Sequence, residues 1–224
     1  MGQPSLFRYD SVMAVQGGLR ERKKQQMRQL IFDAAQRLFR EKGFERVSVA
    51  EVARAADVSE VTVFNYFPTK EDLFFGGMQF FEEQLIEAVR NRPSGESAAR
   101  AFRRSLLSGA DRLALKQSAD AILAASRIIS ASPSLVARER EVVERYAVRL
   151  AELLAEETGA RADDVEPMSI AGALMATHRA LVAHVRERVL RGLRGERLAD
   201  DYRTQARRTF ARLERGLAGY AVKP

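Results

Sequence analysis

Apolar side chains recur at three- and four-residue intervals along most of the chain, the spacing of one face of an α-helix. No run alternates every second residue as a half-buried strand does, so the pattern predicts an all-α fold. From Arg20 to Lys42, the positions Leu30, Ile31, Ala34, Ala35, Leu38 and Phe39 predict a helix with one buried face, stopped by Gly43. Two short helices follow, over 49–56 and 60–66, and then a long one from Lys70 to about Asn91. Pro93, Ser94 and Gly95 break the pattern and read as a linker between a small N-terminal unit and a larger C-terminal one. Beyond it the period predicts helices near 96–113, 116–131, 134–158, 165–191 and 198–219. Pro133 and Pro167 fall near helix starts and Gly159 and Gly192 near helix ends. Residues 1–19 carry Pro4, Gly17 and Gly18 and little periodicity, and read as a mobile arm.

The two short helices carry the most specific local signals. Ser48 can cap 49–56, and Glu51 three residues later completes a capping box. Val49, Val52 and Ala53 form that helix's inner side, and Ala53 is small enough for a close crossing. The chain turns at Asp57–Val58, where position 57 calls for a left-handed backbone that Asp tolerates better than most residues. Ser59 can cap 60–66, whose inward residues are Val63 and Phe67, with Val58 plugging the turn. Glu60, Val61, Thr62, Asn65 and Tyr66 then face outward. Hydroxyls and an amide on a helix with few bulky charges suit a major groove, where they meet base edges and phosphates, while Glu60 would repel a phosphate unless it reads a cytosine amino group. Thr69 and Asp72 form a second possible capping box. The helix start behind them, with Lys70 beside it, offers amide donors and a positive charge to a phosphate.

The run Val58-Ser59-Glu60-Val61-Thr62-Val63-Phe64-Asn65-Tyr66-Phe67-Pro68-Thr69-Lys70-Glu71-Asp72-Leu73 resembles the DNA-binding signature of the TetR family of repressors. Ala34-Ala35-Gln36-Arg37-Leu38-Phe39, Lys42-Gly43-Phe44 and Val47-Ser48-Val49-Ala50-Glu51-Val52-Ala53 match its upstream part. The resemblance covers about residues 24–75. It implies a DNA-binding domain over 20–75, with the helix-turn-helix at about 48–67. It also implies a ligand-binding and dimerisation domain over 76–224. The partners it implies are a palindromic double-stranded operator, a small-molecule effector and a second copy of the chain. Ser48, Ser59, Val61, Thr62, Asn65, Tyr66 and Lys70 are the implied DNA contacts. Two positions depart from the family pattern. Asp57 stands where Gly is usual, and Phe64 stands where Tyr is frequent, which removes a hydroxyl.

In the C-terminal part, Ile170, Ala171, Leu174, Met175, His178, Leu181, Val182 and Val185 form one apolar stripe. Tyr202, Phe210, Leu213 and Leu217 form another. Stripes this broad on the last two helices suit a bundle completed by a second subunit. Polar or adaptable side chains set among apolar ones are the candidate ligand contacts: Ser126, Arg127, Tyr146, Met175, His178 and Arg179. Arg127 and Arg179 could meet an anionic ligand, or equally pair with Glu139, Glu141 or Glu144. The segment Ala125–Val142, with Arg127-Ile128-Ile129 ahead of Ser132-Pro133-Ser134-Leu135, is similar to a subgroup of these regulators with an acyl-coenzyme-A-like ligand domain. That similarity implies an amphipathic, acyl-containing effector.

Charge and composition narrow the alternatives. The net charge of +7 favours polyanionic partners, and Arg20, Arg22, Lys23, Lys24 and Arg28 cluster around the start of the first helix. The absence of cysteine removes disulfides, thiolate chemistry and Cys-containing zinc sites. His178 and His184 are six apart, off the i, i+4 spacing of helical metal ligands, so no metal is expected, and no cofactor either. The sequence holds no phosphate loop, nucleophile elbow or paired His–carboxylate motif, which argues against an enzyme. No apolar run is long enough to span a bilayer and residues 1–19 lack a signal-peptide core, so a cytoplasmic, nucleoid-associated protein is expected. The alternative reading is a dimeric helical protein that binds a ligand or partner without specific DNA binding.

Overall fold

A computed structural model describes residues 18–217 and 219–223, with backbone only at 21, 77–81 and 116. Residues 1–17 of the expected arm lie outside the described residues. The regular elements among the described residues are helices, α1 (Leu19–Lys42), α2 (Val49–Ala55), α3 (Glu60–Tyr66), α4 (Lys70–Arg90), α5 (Ala98–Ser108), α6 (Asp111–Ala114), α7 (Lys116–Ser130), α8 (Pro133–Thr158), α9 (Glu166–Leu190) and α10 (Gly195–Leu217), with one isolated antiparallel bridge between Ser97 and Val222. These bounds follow the predicted ones closely, apart from the short α6, which the period had merged with α5. Gly159 and Gly192 adopt φ of 65° and 91° just past the ends of α8 and α9, where other side chains would be strained.

The chain divides into two compact units. Among the described residues, the first comprises 18–80 with 124–138, and the second comprises 81–123 with 139–217 and 219–223. The inclusion of 124–138 in the first unit is invisible to a reading along the chain. Ile129 and Leu135 from that segment are buried with Ile31, Phe32, Phe39, Phe44, Val52, Val63, Phe67 and Phe75. Ser132 donates to a carboxylate oxygen of Glu45 at 2.5 Å and fastens the segment there.

In α1, Ile31, Phe32, Ala34, Ala35, Leu38 and Phe39 are buried, but Leu30 is 50% exposed, contrary to its expected place in the core. Successive helical residues are about 100° apart, and Leu30 falls outside the arc bounded by Ala34 and Phe32. Phe39, Phe44 and Phe74 pack ring against ring at 5.2–6.0 Å. The Gln36 amide donates to the carbonyls of Leu73 and Phe74 at 3.1 and 3.0 Å, which ties α1 to α4.

The second unit has its own core from α4, α5, α8, α9 and α10. There the late apolar stripes differ from expectation. Ile170, Ala171, Leu174, Met175, His178, Leu181 and Val185 of α9 are buried within the chain, as are Tyr202 and Phe210 of α10. They are consumed by this unit's own packing and do not wait for a second subunit. The residues at Pro93–Gly95 do not divide the units either. Arg92 beside them is fully buried, pairing with Glu157 at 2.6 and 3.0 Å and donating to the carbonyls of Val89, Glu96 and Ala221. A guanidinium so satisfied fixes the turn inside the second unit.

Gly76 tests the packing of the first unit. A Cβ there would lie 2.9 Å from the ring of Phe67 and 3.1 Å from that of Phe32. Both rings are buried and cannot yield cheaply. Gly76→Ala should gain about 1 kcal/mol of helix propensity but lose about 2 kcal/mol to overpacking. The expected net result is a fall of about 3 °C in Tm, measured by circular dichroism.

Candidate nucleic-acid interface

The helix-turn-helix is built from caps. Ser48 accepts from the Glu51 amide at 3.2 Å, and Glu51 accepts from the Ser48 amide at 2.9 Å, completing the predicted box. The Lys42 ammonium 2.7 Å away, together with the Ser48 amide, holds the Glu51 carboxyl down at about 2. Helix α2 ends in a Schellman motif. The Val58 amide donates to Ala53 and the Asp57 amide to Arg54, with Asp57 at φ 53°. The left-handed turn is thus real, and Asp fills it where Gly would be less strained. Ser59 then caps α3, accepting from the Thr62 amide at 3.0 Å and hydrogen-bonding the Thr62 hydroxyl at 2.8 Å.

Within α3 the division of faces is sharp. Val63 and Phe67 are buried, and Val58 packs against them from the turn. Val61 is 70% exposed and Phe64 46%, while Glu60 and Asn65 are exposed and Thr62 and Tyr66 half-buried. Exposed apolar side chains of this size on a seven-residue helix are costly in water and suit a surface that is covered when the protein acts. Ser48 and Ser59 are exposed at the starts of α2 and α3. Arg28 of α1 donates to the Tyr66 carbonyl at 2.9 Å and lies 4.4 Å from the centre of the Phe67 ring. It therefore satisfies the C-terminal end of α3. Sequence reading had placed Arg28 only in a basic cluster, because its partner is 38 residues away.

The start of α4 carries the second predicted box. Thr69 and Asp72 exchange side-chain and backbone hydrogen bonds at 2.8–3.2 Å. Asp72 is only 3% exposed and also receives Arg138 at 2.7 Å. Burial alone would push the carboxyl's pKa up, but the Arg138 and Thr69 hydrogen bonds outweigh that and hold it below its ordinary range. Lys70 beside it is half-buried, its ammonium 4.3 Å from the centre of the Phe44 ring and 3.4 Å from the Glu45 carbonyl. One face of this unit thus presents hydroxyls, an amide, a phenol and a restrained ammonium around a helix with its inner side locked.

The candidate ligand contacts fall in both units. Tyr146, Met175 and His178 are buried in the second, and burial pushes the His178 imidazole down to about 4. Arg179, the next residue along α9, is exposed. Ser126 is half-buried and Arg127 exposed, and both belong to the segment that joins the first unit. Glu139, a possible partner for either arginine, pairs with Arg186 instead. No group of three or more His, Cys, Asp or Glu residues able to hold a metal occurs among the described residues. No helix among them is long and apolar enough to cross a membrane.

A capped helix-turn-helix with an exposed second helix, joined to a larger helical unit, defines a DNA-binding transcriptional regulator. Comparison with known proteins gives the family. Residues 31–76 match the model of bacterial regulatory proteins of the tetR family, and residues 96–218 match that of the MftR C-terminal domain. The chain belongs to the TetR family. It is 30% identical over 156 residues to the HTH-type transcriptional regulator TcmR of Streptomyces glaucescens, covering 66% of this chain and 67% of that one. It is 46% identical to the regulator LuxR of Vibrio harveyi over 46 residues, covering 20% of this chain and 22% of that one. Among solved structures, a TetR-family regulator from Streptomyces coelicolor superposes with a TM-score of 0.53 at 19% identity, covering 87% of this chain and 98% of that one. The SmeT–triclosan complex gives 0.52 at 16% identity, covering 85% and 91%. These structural likenesses bear on the fold alone.

The Asp72–Arg138 pair makes the first unit sensitive to acid. A carboxyl held below its unfolded value stabilises fully above that value, and the stabilisation is lost as pH falls through the folded one. Thermal scans of the native chain should therefore show a loss setting in below about pH 4. Asp72→Asn should cost about 3 kcal/mol at neutral pH, because it removes the buried carboxylate from its ion pair with Arg138. It should also flatten the acid limb, and an unchanged limb would refute the assignment.

Proposed function

We propose that this regulator is a homodimeric repressor that binds a palindromic operator through α3 and is released by a small-molecule effector. The observation that carries the reading is the outward face of α3, exposed and apolar-to-polar in turn, on a helix whose other side is locked into the core. Val61, Thr62, Asn65 and Tyr66 read base edges in the major groove. Asn65 is suited to the donor–acceptor edge of adenine, and Val61 to thymine methyls. Ser48, Ser59 and Lys70 hold phosphates, each at a helix start where backbone amides add their own attraction. The restrained geometry of Lys70 lowers the entropy lost when it meets a phosphate. The chain performs no catalysis and takes no cofactor.

Dimerisation rests on what the second unit leaves outside. The outward side of α9 carries Gly172, Ala176, Ala180 and Ala183, flanked by Met168 at 46% and Leu190 at 63% exposure. Small residues along one helix face let a second helix approach closely. A two-fold pairing there gives two reading helices for two half-sites. The effector binds in the second unit and shifts the population toward dimers whose reading helices no longer match successive grooves. The similarity at Arg127-Ile128-Ile129 and Ser132-Pro133-Ser134-Leu135, residues of the first unit, supports the effector's class, amphipathic and acyl-coenzyme-A-like, and not the place where it binds. The cytoplasm, where chromosome and acyl thioesters coexist, is the compartment this reading requires.

The test is a duplex selected from a random pool by the native chain and then titrated by gel shift across salt. A palindromic consensus with affinity retained at physiological salt is expected, and binding without sequence preference would overturn the reading. Lys70→Ala should weaken binding to all duplexes and flatten the salt slope by about one. Asn65→Ala should relax the preference at one base pair of each half-site at a cost of about 1–3 kcal/mol. Ala180→Glu should turn the dimer into a monomer in sedimentation velocity and remove the preference for palindromes over single half-sites.

A further inference from the structure

Three ionisable side chains on or just beyond α4 are buried, and the fold treats them differently. Asp72 and Arg92 are tied by multiple hydrogen bonds. Glu82 is 2% exposed, and neither of its carboxyl oxygens has a hydrogen-bond partner. The large majority of buried side-chain polar atoms in folded proteins are satisfied, and leaving one orphaned is destabilising. The cations that could have reached Glu82 are placed elsewhere. Arg149 pairs with Glu83 at 3.8 Å, Arg186 of α9 pairs with Glu139, and Arg145 and Arg149 flank the Tyr146 ring at 6.0 and 5.4 Å. Arg145 acts on Glu82 through space without a hydrogen bond. Glu82 shares its helical spacing with the buried Leu85, Ile86 and Val89, and its carboxyl feels the charges of Arg145, Glu139 and Glu83 and acts in turn on the buried Tyr146 phenol, all within the second unit.

We propose that Glu82 is the polar anchor of the effector site in the second unit, and that the effector is an amphipathic molecule with an amide or hydroxyl set in an apolar body. This rests on the reading of that unit as effector-binding. Burial pushes the Glu82 acid up to about 8, with Arg145 opposing and the charges of Glu139 and Glu83 adding to the rise. Near neutrality the group is therefore a carboxylic acid, with one O–H to donate and a carbonyl to accept. An amide or a hydroxyl answers both needs. An ester offers only an acceptor, a carboxylate only acceptors, and a quaternary ammonium neither a donor nor an acceptor. The ligand supplies the partners that the fold withholds.

The experiment uses the full chain and probes sharing a ten-carbon tail: decanamide, decanol, methyl decanoate, decanoate and decyltrimethylammonium, titrated by calorimetry near neutral pH. Decanamide and decanol should bind about tenfold more tightly than methyl decanoate, one hydrogen bond's worth of preference. Glu82→Met should erase the preference, and Glu82→Gln, which keeps a donor and an acceptor, should restore most of it. Tightest binding by decyltrimethylammonium, an unchanged preference in Glu82→Met, or no binding by any probe would overturn the proposal. A ligand-free readout runs in parallel. The folded chain holds a proton on Glu82 that the unfolded chain releases above its ordinary 4.5, so native stability falls as pH rises from there to about 8. Glu82→Met should raise Tm, and the gain should grow across that window. A lower Tm throughout would mean Glu82 is structural, contradicting the proposal. If the native chain binds its selected duplex but no probe, the site proposal fails and the DNA reading stands. If probes bind through Glu82 but leave the duplex bound, the site stands and effector release fails.

Discussion

The presentation of α3 depends on the buried carboxylate of Asp72. It accepts from Thr69 on one side, closing the start of α4, and from Arg138 on the other, anchoring the beginning of α8. That start of α4 follows α3 after a three-residue connection, so the cap sets where α3 ends and where α4, with Lys70, begins. Phe39, Phe44 and Phe74, packed ring against ring, share one buried cluster with Val52 of α2 and with Val63 and Phe67 of the α3 end. Position and rigidity are what a reading helix needs, since a bidentate contact to a base edge tolerates little displacement.

The same logic explains why the outward face can be so unlike the rest of the surface. Val61 and Phe64 stay exposed because the inward face of α3 is already used by Val63, with Phe67 closing its end. The hydroxyls of Ser48 and Ser59 are committed to caps and yet remain at the surface, so the groups that hold the fold also face the solvent that DNA would displace. Asp57 belongs to this economy. Its left-handed backbone closes the turn that brings Ser59 to the start of α3.

Local signals were legible in the sequence. Ser48 with Glu51, Ser59, and Thr69 with Asp72 announced the caps, and the spacing of Val63 and Phe67 gave the inner side of α3. What the sequence could not show was pairing between distant segments. Ser132 with Glu45 and Arg138 with Asp72 bring 124–138 into the first unit, and neither pair leaves a periodic trace. Leu30 was misplaced because it lies one step outside the buried arc, and the α9 stripe because periodicity says that a face is buried, not what buries it. Glu82 was not singled out in the sequence, although it falls on an apolar spacing with Leu85, Ile86 and Val89. Its lack of partners is a three-dimensional fact.

The central claim is that α3 meets DNA with its outward face while its inner face stays locked. Methyl NMR on the selected duplex tests it most directly, because α3 carries one valine on each face. The account predicts that the Val61 methyls shift strongly and sequence-specifically on duplex addition, while those of Val63 barely move. Equal shifts at both, or none at Val61, would contradict it.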